Sequence, residues 1–275
     1  YSDAAGAPDS CAALLTSVAD AQADLIAHWM SLGFIHGVMN TDNTAISGET
    51  LDYGPCAFMD AFHSKCVFSS IDSAGRYAWG NQPEIGLWNL TRFAETLLPL
   101  LSEDPRRATD IAEAALSGYP ERFDDQYSAR FRAKLGLPPE ASAEIITECL
   151  DLLGAHEVDF TLFFRRLTRI AGGEDSETLA AMFFGSTPFA TWFAKWRGEA
   201  DPVKRLADMR AANPIRIPRN HRVEQAIQSA YGGDFAPFHR LVNALAAPYT
   251  DQVEFADLET PPRPEEIVRE TFCGT

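Results

Sequence analysis

The sequence lacks a long hydrophobic run and lacks an excess of basic residues. Its apolar stretches are short and interrupted, and its first residues do not show the basic-then-apolar order of a signal peptide. We therefore predict no membrane partner. Lysine and arginine number 23 against 39 aspartates and glutamates, which gives a formal net charge of −16. Because nucleic acids are bound largely by neutralising phosphates, this balance argues against a nucleic-acid partner and favours a cytoplasmic globular protein.

Cysteines are few and are poorly spaced for metal binding. The five cysteines, at positions 11, 56, 66, 149 and 273, include no CxxC pair and no accompanying pair of histidines. This spacing argues against a zinc site. With 275 residues, of which 46% are hydrophobic, the chain is long enough to bury one substantial core or two small ones.

Apolar residues recur at helical spacing along most of the chain, which predicts a mainly α protein. The first 35 residues contain an amphipathic helix whose apolar positions include Leu15, Val18, Ile26 and Trp29. Further helices are predicted at 87–101, 106–116, 122–135, 141–153, 159–171, 188–197 and 223–230. A last short helix is expected to end near Phe272.

The segment from His36 to Pro55 carries the residues best suited to chemistry. Ser47 and Gly48 are typical of a two-residue hairpin turn, which would place Asn43 directly opposite Asp52. Opposed side chains on neighbouring strands have Cβ atoms roughly 5 Å apart. An amide oxygen and a carboxylate would then meet on one face of the hairpin.

Such a pair of oxygen ligands suits Mg²⁺ bound together with a nucleotide, because it leaves room for water and phosphate oxygens. Asp42 would point the other way and be free to accept a proton from an attacking hydroxyl. The alternative is an Asn- and Asp-rich hairpin whose side chains only cap turns. The Asp52-Tyr53-Gly54 sequence favours the first interpretation, since protein kinases present a metal-binding aspartate before an aromatic residue and a glycine.

The match to an ordinary kinase is partial. The usual kinase catalytic loop begins His-Arg-Asp and places its metal asparagine five residues after the aspartate, where this chain has Ser47. The words HGVMNTDN at 36–43 and DYGP at 52–55 instead resemble the selenoprotein O family, whose members have a kinase-like fold. Further similar words are FMDAF at 58–62, GRYAWGNQP at 75–83, IGLWNL at 85–90, DFT at 159–161 and PRNH at 218–221.

The resemblance implies a protein adenylyltransferase that moves AMP from ATP onto serine, threonine or tyrosine hydroxyls of other proteins. Asp42 would be the catalytic base, and Asn43 and Asp52 would hold Mg²⁺ or Mn²⁺ against the ATP phosphates. The residues alone permit γ-phosphoryl transfer of the kinase type equally well. A non-catalytic, pseudokinase-like binding lobe is the third possibility.

The same resemblance implies the domain organisation. The chain is expected to form one domain, a kinase-like C-terminal lobe over about 1–175 that continues into a helical extension over about 176–275. The N-terminal lobe, with its glycine-rich loop and phosphate-binding lysine, is not expected in these residues, and the isolated chain is expected to have little activity.

Two further expectations concern the tail. The resemblance implies that Cys273 can pair with a cysteine in the segment after Asp52, where this chain has Phe68 at the aligned position and Cys66 two residues away. A free thiol is the alternative. The proline-bounded loop from Asn213 to His221, with Arg216 and Arg219, is interpreted as a rigid connector that pairs with carboxylates and holds the tail.

Overall fold

The first long helix organises the front half of the molecule. The fold is that of a computed structural model, which describes residues 1–272. Helix α2, Ser10–Ser31, begins where the Asp9 carboxylate accepts a hydrogen bond from the Ala12 amide at 3.1 Å. It ends before Gly33, whose φ of 72° turns the chain into the first strand. A Cβ at Gly33 would meet Phe160 and Met59 at 3.0–3.1 Å, so only glycine fits there without displacement.

The remaining helices largely follow the predicted periodicity, and the chain is mainly helical. Helices α3 to α7 pack with α2 into the larger part of the molecule. Their bounds, after a short α1 at Ser2–Ala5, are α3 Gln82–Leu101, α4 Pro105–Leu116, α5 Tyr119–Leu135, α6 Glu144–Ala155 and α7 Phe160–Ala171. The later helices are α8 Glu177–Ala181, α9 Thr187–Glu199, α10 Leu206–Ala212, α11 Asn220–Tyr231 and α12 Ala236–Leu245.

Aromatic side chains fill the main core. Phe131, Phe160, Phe163 and Phe164 are almost completely buried, and their ring centroids lie 5.0–6.4 Å apart in mostly edge-to-face pairs. Buried aromatic residues of α9 join this core, among them Trp192, whose indole N–H donates to the Ile145 carbonyl at 3.0 Å. These aromatic residues are therefore structural.

One small sheet accompanies the helices. Strands β1, Phe34–Ile35, and β2, Ala57–Phe58, pair antiparallel, with Phe34 opposite Phe58 and Ile35 opposite Ala57. This sheet is not the hairpin predicted around Ser47 and Gly48, because its strands lie just outside the segment 36–56 and that segment itself contains only the isolated Thr44–Thr50 bridge. That segment is held between them as a long loop.

A buried ionic network connects the last third of the chain to the rest. Arg219, 1% exposed, contacts the Asp60 carboxylate and donates to the Asp159 carboxylate at 2.8 Å and to the Glu259 carbonyl at 2.9 Å. Arg216 donates to the Glu259 carboxylate at 2.9 Å. The loop therefore pairs with carboxylates and fastens the tail, as its sequence predicts.

The final segment differs from the sequence prediction. A single 3₁₀ turn, Pro264–Glu266, replaces the expected short helix, and an extended chain follows. Thr271 pairs in parallel with Ser69, and its amide donates to the Phe68 carbonyl at 2.7 Å. The Thr271 carbonyl also accepts from the Ser70 amide at 3.0 Å, so pairing with the segment 68–70 holds this part of the chain extended. Within residues 1–272, no helix combines the length and apolar character that a membrane span requires.

Candidate active site

The candidate site starts at His36, directly after β1. His36 is 1% exposed, its Nε2 donates to the Leu51 carbonyl at 2.8 Å, and its Nδ1 accepts from the Val38 amide at 3.4 Å. Burial lowers the pKa of His36, with opposing contributions from the Leu51 carbonyl and from Asp52. The buried ring joins the two sides of the loop, which favours a structural role for His36.

Two buried side-chain amides on helix α3 form hydrogen bonds that hold the loop in place. The Gln82 side chain accepts from the His36 amide at 3.0 Å and donates to the Phe34 carbonyl at 3.1 Å. Asn89, two helical turns later, donates to the Met39 carbonyl and to the Thr44 hydroxyl, both at 3.0 Å. Both side chains are at most 3% exposed. Helix α3 is therefore the support on which the candidate catalytic loop rests.

The Asp42 side chain stands on a short 3₁₀ helix, Thr41–Asn43. The Asn40 side chain caps this helix by accepting from the Asn43 amide at 3.0 Å. Asp42 is exposed and makes no side-chain hydrogen bond or ion pair with any described residue. Asn43 donates its Nδ2 to the Val38 carbonyl at 3.0 Å, so its Oδ1 points away from that contact. A carboxylate and an amide oxygen are thus available side by side.

The turn beyond this helix differs by one residue from the prediction. Thr44 pairs with Thr50 rather than with Leu51, and the Gly48 amide donates to the Ala45 carbonyl at 3.1 Å. The turn is therefore centred on Ile46 and Ser47, followed by Gly48 with a φ of 75°. A residue in the left-handed conformation after such a turn gives a three-residue connection, which shifts the register by one position. Asn43 and Asp52 consequently do not form the expected direct cross-strand pair.

Asp52 and Asn43 both lie just outside the Thr44–Thr50 bridge, Asn43 one residue before Thr44 and Asp52 two residues after Thr50. The Asp52 φ of 55° is left-handed, which is uncommon for a residue with a side chain and typical of functional sites. Its Oδ1 accepts from the Gly54 amide at 3.1 Å, a contact that fixes the carboxylate and leaves Oδ2 unused. Gly37, with a φ of 81°, lets the opposite side approach closely, because a Cβ there would lie 2.7 Å from the Pro55 carbonyl oxygen.

The donor set fits a hard divalent cation shared with a nucleotide. Within the described residues, no three His, Cys, Asp or Glu side chains gather as they would in an all-protein metal site. Asn43 Oδ1 and Asp52 Oδ2 could serve as metal ligands, because neither oxygen accepts a hydrogen bond from any described residue. Mg²⁺ prefers such oxygens and usually keeps positions for phosphate and water, so two protein ligands suffice.

The nearby thiols do not contribute a nucleophile. Burial, followed by the negative charge of Asp52, raises the pKa of Cys56 to about 11. Burial and Asp60 raise the pKa of Cys66 to about 11. Both groups are therefore protonated at neutral pH and are poor nucleophiles. Cys273 lies outside the described residues, and so does the choice between its pairing with Cys66 and a free thiol.

Sequence reasoning missed the supporting residues of this site. Gln82 and Asn89 occupy the same face of α3 as Ile85, Gly86 and Leu90, a stripe that is otherwise apolar and buried. Polar amides inside an apolar stripe are the signal that could have found them, because buried amides require partners. Asp60 and Asp159 likewise belonged to family words without an assigned role, and both meet Arg219.

Comparison with known proteins assigns the family. Residues 1–246 match the family described as protein adenylyltransferase SelO. The chain belongs to this SelO family. A protein nucleotidyltransferase YdiU of Bradyrhizobium sp. (strain ORS 278) is 49% identical over 283 residues, and one of Rhodopseudomonas palustris (strain BisB5) is 51% identical over 284 residues. Each of these alignments covers 100% of this chain and 58% of the relative.

A third SelO relative extends the comparison. The protein nucleotidyltransferase YdiU of Rhizobium etli (strain CIAT 652) is 51% identical over 272 residues, which is 96% of this chain and 54% of the relative. The chain thus spans somewhat more than half the length of the curated relatives that it matches. The family recognised from the words at 36–43 and 52–55 is confirmed.

Proposed function

We propose that this chain forms the catalytic part of a protein adenylyltransferase, which transfers AMP from ATP to serine, threonine or tyrosine hydroxyls of other proteins. The observation that carries the proposal is the loop at 36–55. In it an unpaired carboxylate, Asp42, precedes Asn43 on one arm of the loop, and Asn43 and Asp52, which lies on the other arm, each keep a free side-chain oxygen. The family description specifies adenylyl transfer, whereas the name of the YdiU relatives leaves the nucleotide open.

Each of the three residues has one role in the proposed reaction. Asp42 is the general base, because its exposed carboxylate can reach an incoming acceptor. Asn43 and Asp52 hold Mg²⁺ or Mn²⁺ through their free oxygens. The bound cation would offset the negative charge on the phosphates. Asp52 is kept in place by the Gly54 amide, and Asn43 by the Val38 carbonyl, so neither ligand must reorganise during the reaction.

The proposed chemistry balances with these groups. The acceptor oxygen attacks the α-phosphorus of ATP, and its proton passes to an Oδ atom of Asp42. The new bond joins the acceptor oxygen to the α-phosphorus. The bond between the α-phosphorus and the bridging oxygen to the β-phosphorus breaks, and pyrophosphate leaves with that oxygen. The buried His36 stays neutral throughout and keeps the two sides of the loop together.

The proposal includes a domain assignment. Residues 1–175 would be the C-terminal lobe of a kinase-like fold, and residues 176–275 its helical extension. The order of a long helix, a catalytic loop between short strands and a supporting helix α3 is in keeping with this assignment. A glycine-rich loop and a phosphate-binding lysine would then come from elsewhere in a longer protein, and the chain alone would transfer little. ATP as the donor is in keeping with a cytoplasmic protein.

Intact mass spectrometry tests the proposal. Casein, as a hydroxyl-rich acceptor, is incubated with Mg²⁺-ATP and a longer form that includes residues 1–275, beside its Asp42→Ala variant and beside residues 1–275 alone. A mass gain of one adenylyl group that disappears in the variant supports AMP transfer with Asp42 as base. A gain of one phosphoryl group would instead make the protein a kinase. No gain, on casein or on the enzyme itself, would favour a non-catalytic binding lobe.

A further inference from the structure

A groove of about 750 Å³ runs away from the candidate site, and nothing in the proposed chemistry uses it. One wall is the segment directly after Asp52, from Tyr53 to Phe58, and the opposite wall is helix α11. The extended tail from Val268 to Phe272 completes it. We name this cavity the α11 groove. Its first lining residue, Tyr53, is the immediate neighbour of the metal-binding candidate.

The walls of the α11 groove are fixed in place. The Asn220 side chain, at the start of α11, donates to the Phe58 carbonyl at 2.9 Å. On the other side the Thr271 hydroxyl donates to the Pro55 carbonyl at 2.5 Å. The groove is therefore present before any ligand arrives, which lowers the entropic cost of binding.

Large apolar side chains line the groove and remain in contact with water. Tyr53 is 63% exposed, Tyr231 is 84% exposed and Phe272 is 69% exposed. Ile227, on the same side of α11, adds an aliphatic surface. Exposed aromatic residues grouped around a cleft are typical of a surface that binds another chain.

The tail offers main-chain partners as well. The amide and carbonyl of Thr271 both pair with the segment 68–70, as expected of one residue in an extended strand. The amide and carbonyl of its neighbour Glu270 make no hydrogen bond with any described residue. Backbone groups alternate in direction along an extended strand, so those of Glu270 point away from segment 68–70. An extended polypeptide can pair with such an edge while its side chains enter pockets beside it.

Charge selects the kind of polypeptide. Glu224 and Glu270 line the groove, and no lysine or arginine lines it within residues 1–272. Together with a net charge of −16, this arrangement repels phosphates and acidic segments and attracts basic ones. A free nucleotide is therefore a poor occupant of the groove.

We infer that the α11 groove docks the acceptor protein, as an extended segment in which lysine or arginine alternates with apolar residues around the modified hydroxyl. The inference rests on the proposed function, because it explains how a hydroxyl is brought to Asp42. The basic residues pair with Glu224 and Glu270, the apolar residues contact Tyr231 and Ile227, and the hydroxyl lies at the end of the groove nearest Asp52.

Peptide binding to residues 1–275, without nucleotide or metal, tests the docking surface. The probe is a fluorescein-labelled peptide with a single serine flanked by alternating lysine and leucine, and its matched control has glutamate in place of lysine. Binding is followed by fluorescence anisotropy. We expect the basic peptide to bind at least about tenfold more tightly than the acidic one, because Glu224 and Glu270 attract lysine and repel glutamate.

Charge reversal identifies the surface. Glu224→Lys combined with Glu270→Lys should lower the affinity for the basic peptide by about tenfold or more, since two attractions become repulsions. Glu103→Lys combined with Glu113→Lys, at exposed positions that do not line the groove, makes the same change in net charge and should have little effect. Tyr231→Ala should also lower the affinity for the basic peptide, although it leaves the net charge of the protein unchanged. Equal affinity of both peptides, no binding up to about 1 mM, or equal loss in both double variants would overturn the inference.

A transfer assay separates the docking inference from the proposed function. In a longer form, the groove variants should raise KM for the basic peptide while KM for ATP stays constant. Transfer that is independent of Glu224 and Glu270 would contradict the docking inference and leave the proposed function intact. Groove-dependent binding with no transfer of AMP would contradict the proposed adenylyltransferase function and support a docking surface for basic segments.

Discussion

The candidate site and the Arg219 network use the same kinds of polar group in opposite ways. At Arg219 a buried guanidinium meets two carboxylates and a carbonyl. At the site, Asp42 has no partner among the described residues, and Asp52 and Asn43 each keep one oxygen unused. Saturated charges hold a structure together, whereas unsaturated oxygens are available to a ligand. The residues that stabilise the fold and the residues of the candidate site are therefore separate sets.

The pKa values around Arg219 reflect this saturation. Burial raises the pKa of Asp60, and Arg219 opposes that shift. Burial also tends to lower the pKa of Arg219, but the charges of Asp159 and Asp60 raise it above its ordinary value. The charge of Arg219 thus offsets the cost of burying the Asp60 carboxylate, which is the condition for a strong effect when Arg219 is removed.

The largest expected effect is therefore on stability. Arg219→Ala leaves the carboxylates of Asp60 and Asp159 without a cation, and we expect the free energy of unfolding to fall by about 3–5 kcal/mol. Urea denaturation followed by circular dichroism measures the loss. Arg240→Ala removes an exposed ion pair with Asp257 and serves as the control, with an expected loss below about 1 kcal/mol. Similar losses in both variants would contradict the structural role of the network.

The second prediction concerns the unsaturated side of the comparison. Asp42→Ala in a longer form should reduce AMP transfer at least about a hundredfold, equivalent to about 2.7 kcal/mol, because a general base is lost. Its free energy of unfolding should change by less than about 0.5 kcal/mol, since Asp42 is exposed and unpaired. Transfer assays and urea denaturation on the same preparations provide both numbers. Retained transfer would remove Asp42 from the role of base.

A third variant tests a buried, hydrogen-bonded side chain that supports the candidate site. Gln82→Ala leaves the His36 amide and the Phe34 carbonyl without partners, so we expect a loss of about 1–3 kcal/mol in stability. Unlike Asp42→Ala, it should also speed amide hydrogen exchange at His36. Gln228→Ala, which removes an exposed contact with Glu224, is the matched control. Unchanged exchange at His36 would mean that Gln82 does not hold the loop.

The smallest effect concerns a buried cation without a carboxylate partner. Lys134 is fully buried, its Nζ lies 4.3 Å from the centroid of the Phe164 ring, and burial lowers the pKa of Lys134 to about 7. Between pH 7 and 8.5 the unfolded chain keeps this proton while the folded chain loses it, so stability rises with pH. The expected gain is about 1–2 kcal/mol over that interval.

Comparison with Lys134→Met isolates this contribution. Below about pH 7 both states of the parent chain bind the proton, and the cost of burying the charge is constant. The variant has no such proton, so its stability should be higher at pH 7 and should lack the rise. Denaturation at pH 7.0, 7.5, 8.0 and 8.5 measures both slopes, and parallel slopes would contradict the assignment. Taking the difference also removes the contribution of Cys149, whose pKa burial raises.

The sequence predicted α2 to α7, α9 and α11 because their apolar positions repeat with the helical period, whereas α8, α10 and α12 were not predicted. Helix α3, for example, carries Leu90 and Ala94 on the buried face that the pattern indicates. The words at 36–43 and 52–55 also predicted the family. The roles of Asp42, Asn43 and Asp52 remain predictions, because they depend on ligands.

The remaining features depend on contacts distant in sequence. Gly48 tolerates several turn types equally, so the one-residue shift that separates Asn43 from Asp52 could not be read from the turn residues. Nothing near Asp60 indicates that its partner lies 159 residues away. The extended path before Thr271 depends on the carbonyl of Phe68, which no local pattern reveals.

The same long separation has a consequence for biosynthesis. During translation, Asp60 and Asp159 emerge from the ribosome long before Arg219, and Glu259, whose carbonyl completes the cluster, emerges last. Domains tend to fold from the amino terminus as they are made, and contacts between remote residues form slowly. The front helices therefore collapse around two carboxylates whose cation has not yet been translated. We expect nascent chains that end before Arg219 to be vulnerable to proteases, and resistance to appear abruptly once residue 259 has left the ribosomal tunnel.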